Sequence, residues 1–156
     1  MDTIIKDHFL KNILILIRET FEGSPSGHGS AYLDRGVGVF STIDAISAES
    51  ASKEFYGTTI AAQTEHAKFY LDRLREFING RTEPVNWEDS WLIDTVNEDE
   101  WKALRESVRR TYDETLKCFA TVEDWNEDSV GEAMAMITHT AYHLGAVRQI
   151  AKTVSV

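Results

Sequence analysis

Apolar residues recur every three or four positions along four long stretches of this chain, and no stretch alternates convincingly between apolar and polar. That period belongs to a helix with one core-facing stripe, so an all-α fold is expected. Four such helices of similar length predict a four-helix bundle, whose interior sites are built from side chains on facing helices.

The first stretch covers about residues 3–21, with Ile5, Phe9, Leu10, Ile13, Leu14, Leu16, Ile17 and Phe21 as its stripe. Gly23-Ser24-Pro25-Ser26-Gly27 ends it. A long connection to about Gly57 follows, with a short helix expected over 41–48 and a further turn over 51–55. A plain loop of that length is unusual in a compact domain, so it is expected to pack over one end of the fold. The second stretch starts at Thr58 or Thr59 as cap and runs to Asn79, with Gly80 as its stop. Its stripe is Ile60, Ala67, Tyr70, Leu71, Leu74, Phe77 and Ile78. Residues 81–97 carry Pro84, Trp87 and Trp91 and have no clear period, but are long enough to cross a bundle. Asn97 and Glu100 have capping-box spacing before the third stretch, lined by Trp101, Leu104, Val108, Tyr112, Thr115, Leu116 and Phe119. After a turn at 123–128, Ser129 and Glu132 repeat that spacing before the fourth. There the stripe is Met136, Thr140, His143, Leu144, Val147 and Ile150.

At 156 residues the chain is expected to form one domain spanning 1–156. A chain of this size buries about two thirds of its unfolded surface, so it needs no disulfide or structural metal for its core. The net charge of −10 disfavours nucleic acid and anionic membranes as partners. Cys118 is the single cysteine, which excludes an internal disulfide and a cysteine-based zinc site. Asp2 and Lys6-Asp7 interrupt any secretory signal, and the apolar run 13–17 is far too short to span a bilayer. A cytoplasmic protein is expected.

The chemistry points to histidine. His139 and His143 stand four residues apart, so their rings leave one face of a helix with Cβ atoms roughly 6 Å apart. One metal ion can be gripped by two rings at that spacing. His66 lies beside the core stripe of the second helix, near its middle. Three neutral nitrogen donors suit zinc, nickel, copper or iron(II), and not magnesium or calcium. They leave a position open for water or substrate. They also leave the ion's charge uncompensated, which lowers the pKa of a bound water or thiol. Thr140 stands where the zincin metalloprotease motif needs Glu. A His-x-x-x-His pair also occurs by chance, so a metal-free bundle with packed histidines is the competing reading.

The strings Thr64-Glu65-His66-Ala67-Lys68-Phe69-Tyr70-Leu71 and His139-Thr140-Ala141-Tyr142-His143-Leu144-Gly145-Ala146-Val147-Arg148-Gln149 resemble the DinB-like (DinB/YfiT-like) superfamily of metalloenzymes. The similarity in order and spacing runs from Thr3 to about Thr153. It implies an up-down-down-up bundle with residues 81–97 as the crossover, and a metal triad of His66, His139 and His143. It further implies zinc or nickel as the ion, a low-molecular-weight thiol as cofactor, a small-molecule substrate and a homodimer. Members with known activity include bacillithiol S-transferases and mycothiol-dependent maleylpyruvate isomerase. The latter carry a C-terminal domain that is not expected within these 156 residues, so thiol transfer is the favoured enzymatic reading and hydrolysis a related one. The alternative is a non-catalytic metal-binding stress or interaction protein.

Arg148 and Gln63 are the candidate catalytic residues. Arg148 is a possible carboxylate anchor but points about 140° from His143 around the helix, and a structural ion pair near the helix C-terminus is favoured. Gln63, one turn before His66, is placed to bond a ring nitrogen or a bound water. Tyr142 and Glu65 adjoin ligand candidates and are expected at the surface or an interface. The tryptophans at 87, 91, 101 and 125 are expected to seal the bundle or wall a pocket. Met134 and Met136 are read as core filler and Cys118 as a buried small residue. His8 is read as surface or helix packing, and His28 as a loop residue.

Overall fold

The computed structural model describes residues 5–25 and 29–154. They form α1 (Lys6–Glu22), α2 (Val39–Asp44), α3 (Ala48–Ala51), α4 (Ile60–Ile78), a 3-10 turn (Trp87–Trp91), α5 (Glu98–Thr121) and α6 (Glu127–Val154). Among the described residues there is no strand, only an isolated bridge between Phe55 and Thr58. The all-α expectation holds. The four long helices touch in a ring: α1 and α4 each contact both α5 and α6. No helix among the described residues is long and apolar enough to cross a membrane.

The apolar stripes become the core. Ile13, Ile17, Phe21, Leu71, Leu74, Trp101, Val108, Phe119, Met136, Leu144 and Val147 are all buried in one cluster. Trp101 is fully buried, and its indole N–H donates to the carbonyl of Ile46 at 2.8 Å. That bond ties the short α2–α3 connection to α5. α2 and α3 bury Val39, Ile43, Ala48 and Ala51 against the long helices, as the length of this connection requires.

Helix boundaries follow capping chemistry. Thr59 caps α4 by accepting from the Ala62 N–H at 3.0 Å, and Asn97 with Glu100 forms the expected capping box at α5. Three expectations shift. The first short helix starts at Val39 rather than 41, because the Ser41 hydroxyl reaches back to accept from the Gly38 N–H at 3.1 Å. The second is Ala48–Ala51 rather than 51–55, because Ser47 caps it by accepting from Ser50 N–H. α6 starts at Glu127, because Asn126 accepts from the Ser129 N–H at 3.0 Å, which places Ser129 inside the first turn instead of at the cap. Ile5 precedes α1 and is 59% exposed, so it leaves the stripe. Met134 is also exposed, whereas Met136 is buried. The expected contributions of Thr3, Ser26, Gly27 and His28 lie outside the described residues.

Two features hold the α1 end. Glu19 is buried, yet its carboxylate accepts from the Ser30 hydroxyl and from the N–H groups of Ala31, Tyr32 and Leu33 at 2.7–2.8 Å. Burial raises its pKa, but these four bonds overturn that and bring it down to about 2. Beside it, Gly38 lies against the chain leaving α1. A Cβ there would sit 2.6 Å from the Gly23 nitrogen and 2.8 Å from the Phe21 carbonyl oxygen.

Candidate metal centre

α4 and α6 make the most extensive helix–helix contact in the molecule, and the three histidines lie on that seam. His66 comes from α4, His139 and His143 from α6. Ring centroids are 4.4 Å apart for His139–His143, 4.6 Å for His66–His143 and 5.0 Å for His66–His139. One ring nitrogen from each lies within 4.8 Å of the other two. The sequence therefore places all three rings on the faces that meet.

Hydrogen bonding decides which nitrogen faces the centre. The Ser90 hydroxyl donates its single hydrogen to the Trp87 carbonyl at 2.6 Å, so it accepts from His66 Nδ1–H at 2.8 Å. The Gln63 amide donates from Nε2 to Thr58 Oγ1 at 2.9 Å, which leaves Oε1 to accept from His143 Nδ1–H at 2.6 Å. Both imidazoles are thereby held as Nδ1–H tautomers with a bare Nε2 lone pair. His139 Nε2 is buried with no hydrogen-bond partner. Its ring is fixed by stacking on Tyr70, at 3.7 Å between centroids and 17° between planes. Trp91 stacks on His66 in the same manner at 3.8 Å.

The electrostatics keep the rings neutral. Burial, then the neighbouring His139 and His66 rings, pushes the His143 imidazole down to about 3. Burial and His66 take His139 down to about 4, and burial lowers His66. Rings that are neutral near pH 7 offer lone pairs instead of positive charge. A buried nitrogen without a partner, two rings with their other nitrogen engaged, and a donor set of imidazoles alone fit a divalent transition metal ion. They fit a hydrogen-bonded core cluster poorly, since unsatisfied buried acceptors are costly.

His143 also borders a small apolar cavity of about 30 Å³, shared with Gln63, Leu71, Val108, Leu144 and Val147. The ring also meets Trp91 and Tyr142, 44% and 72% exposed.

Of the candidate catalytic residues, Gln63 joins the cluster and Arg148 does not. Arg148 points to Asp34, 3.9 Å away, the structural ion pair. Tyr142 is exposed, and Glu65 pairs with Lys68 at 3.7 Å. Trp87 and Trp91 wall the site, while Trp101 is core and Trp125 packs between Phe9 and Phe119. Cys118 is buried, its thiol donates to Asn79 Oδ1 at 3.5 Å, and burial raises its pKa. His8 is exposed. Sequence reasoning missed Ser90 and the stacking role of Tyr70. Tyr70 was legible only as a stripe residue, and Ser90 lies in a stretch without a period. The one local signal was Asn86, whose side chain caps the 3-10 turn by accepting from the Glu88 N–H at 3.3 Å.

Compared with protein-family models, with curated proteins and with solved structures, the chain matches none.

Proposed function

We propose that this protein holds one divalent transition metal ion through Nε2 of His66, His139 and His143, and uses it in chemistry on a small molecule. The observation that carries this reading is the convergence of the three rings with a buried, unpartnered nitrogen among them. An ion bound by neutral imidazoles supplies acidification of a thiol or water at its open position. The chain's own residues hold the donors: Gln63 orients His143, Ser90 orients His66 and Tyr70 braces His139. Trp91 stacks on His66 and Tyr142 stands edge-on to His143.

Zinc or nickel as the ion, a low-molecular-weight thiol and S-transfer complete the proposal, in line with the DinB-like resemblance. The up-down-down-up helix order and a homodimer belong to the same reading. The test is elemental analysis and calorimetric titration with zinc and nickel. About one ion per chain is expected, and His139→Ala should lose it. Full retention by that variant removes the triad. A second reading, metal binding without turnover, is favoured by one observation: Arg148 is turned to Asp34, away from the cluster. Metal-dependent turnover of a generic electrophile with any member of a thiol panel would exclude it.

A further inference from the structure

The turn Trp87–Trp91 stands outside the helix pair that carries the histidines, yet it touches both halves of the cluster. Ser90 is fully buried in a turn whose neighbours Trp87, Trp91 and Leu92 are 39%, 44% and 77% exposed. A buried hydroxyl must find its partners. Here they are the Trp87 carbonyl, which receives the hydroxyl hydrogen, and His66 Nδ1, which must therefore bring its own. Trp91 covers the face of the same imidazole. Trp87 packs on Tyr70 at 4.9 Å, and Tyr70 stacks on His139. The turn thus grips His66 by edge and face, and reaches His139 through one intermediary.

We infer that this turn is a third limb of the metal centre, in which Ser90 is a positioning residue that fixes the tautomer and rotation of His66. The inference rests on the proposed metal site for its purpose, but the positioning itself is present without an ion. Groups that receive the distal N–H of a ligand imidazole set ring orientation and donor strength, and losing one typically costs 10–100-fold in metal affinity.

The test reads the histidine tautomers of the metal-free protein by long-range proton–nitrogen NMR at pH 8. His66 is expected as Nδ1–H. An Nε2–H His66 in the wild-type protein overturns the inference, whatever the variants do. In Ser90→Ala the His66 tautomer should shift toward a mixture while His143, held by Gln63, stays as it was. Zinc affinity, measured by competition with a chelator, should fall 10–100-fold in that variant. Ser90→Thr keeps the hydroxyl and should retain both properties. An unchanged tautomer and affinity in Ser90→Ala overturns the positioning role. Failure of the wild-type protein to take up zinc would instead refute the metal reading, and the tautomer measurement would still decide whether Ser90 orients the ring.

Discussion

Replacing Glu19 by Gln should remove a block of stability that depends on pH. In the folded chain the carboxyl titrates at about 2 against an ordinary 4.5. Each unit is worth about 1.4 kcal/mol, so the ionised carboxylate contributes about 3 kcal/mol at neutral pH. The side chain is only 3% exposed, so solvent screening takes little from that figure. The folded pKa is depressed, so the unfolded chain binds the proton more readily. The contribution is complete well above pH 4.5 and is lost as pH falls toward 2, with roughly 1 kcal/mol gone by pH 3.5. Gln keeps the shape but not the charge, and it turns an N–H₂ donor toward one of the donors now satisfied by carboxylate oxygen. Urea unfolding of both proteins at pH 7, 5 and 3.5 isolates the effect, because histidine titration is common to both and cancels in the difference. The variant should be less stable at pH 7 by about 3 kcal/mol or more, and the gap should narrow with acid. A gap that stays constant from pH 7 to 3.5 would show that the charge on Glu19 contributes nothing, and the account of the α1 clamp would be wrong.

Gln63→Ala removes the acceptor of His143 Nδ1–H, and zinc affinity should fall about 10–100-fold in chelator competition; unchanged affinity would refute its orienting role. Gly38→Ala drives a methyl group into the Gly23 nitrogen and the Phe21 carbonyl, which are backbone and cannot swing aside. A loss of about 1–3 kcal/mol is expected by urea unfolding, and full stability would show that the close approach of these two segments is not required.

Much of the fold was legible because burial imposes a period. The stripe of α5 was readable nearly residue by residue, whereas on α4 only Ile60, Leu71 and Leu74 of the expected stripe are fully buried and the first turn buries Ala61, Ala62, Gln63 and Thr64 as well. Thr59 and Asn97 announce their helices with a local hydrogen bond. Ser129 misled because its capping spacing is local chemistry that Asn126 also satisfies, three residues earlier. The ligand rings were legible from spacing on two helices. The groups that orient them were not, Gln63 excepted. Ser90 becomes a partner of His66 only when an aperiodic turn folds back across 24 residues, and Tyr70 braces His139 across the seam between α4 and α6. Glu19 was hidden for a similar reason. A charged residue on an amphipathic helix reads as surface until the loop at 30–33 arrives to solvate it with backbone amides.

The seam between α4 and α6 joins stretches of chain far apart in sequence: His66 and His139 are separated by the Trp87–Trp91 turn and all of α5. A segment bearing only the 139/143 pair cannot reproduce this geometry, since it lacks the third arm, the Gln63 amide and the Ser90 hydroxyl. The imidazole trio is therefore an emergent property of tertiary assembly, available to a ligand only after the intervening seventy-odd residues have found their places. Anything that occupies it preferentially draws the population away from unfolded conformers.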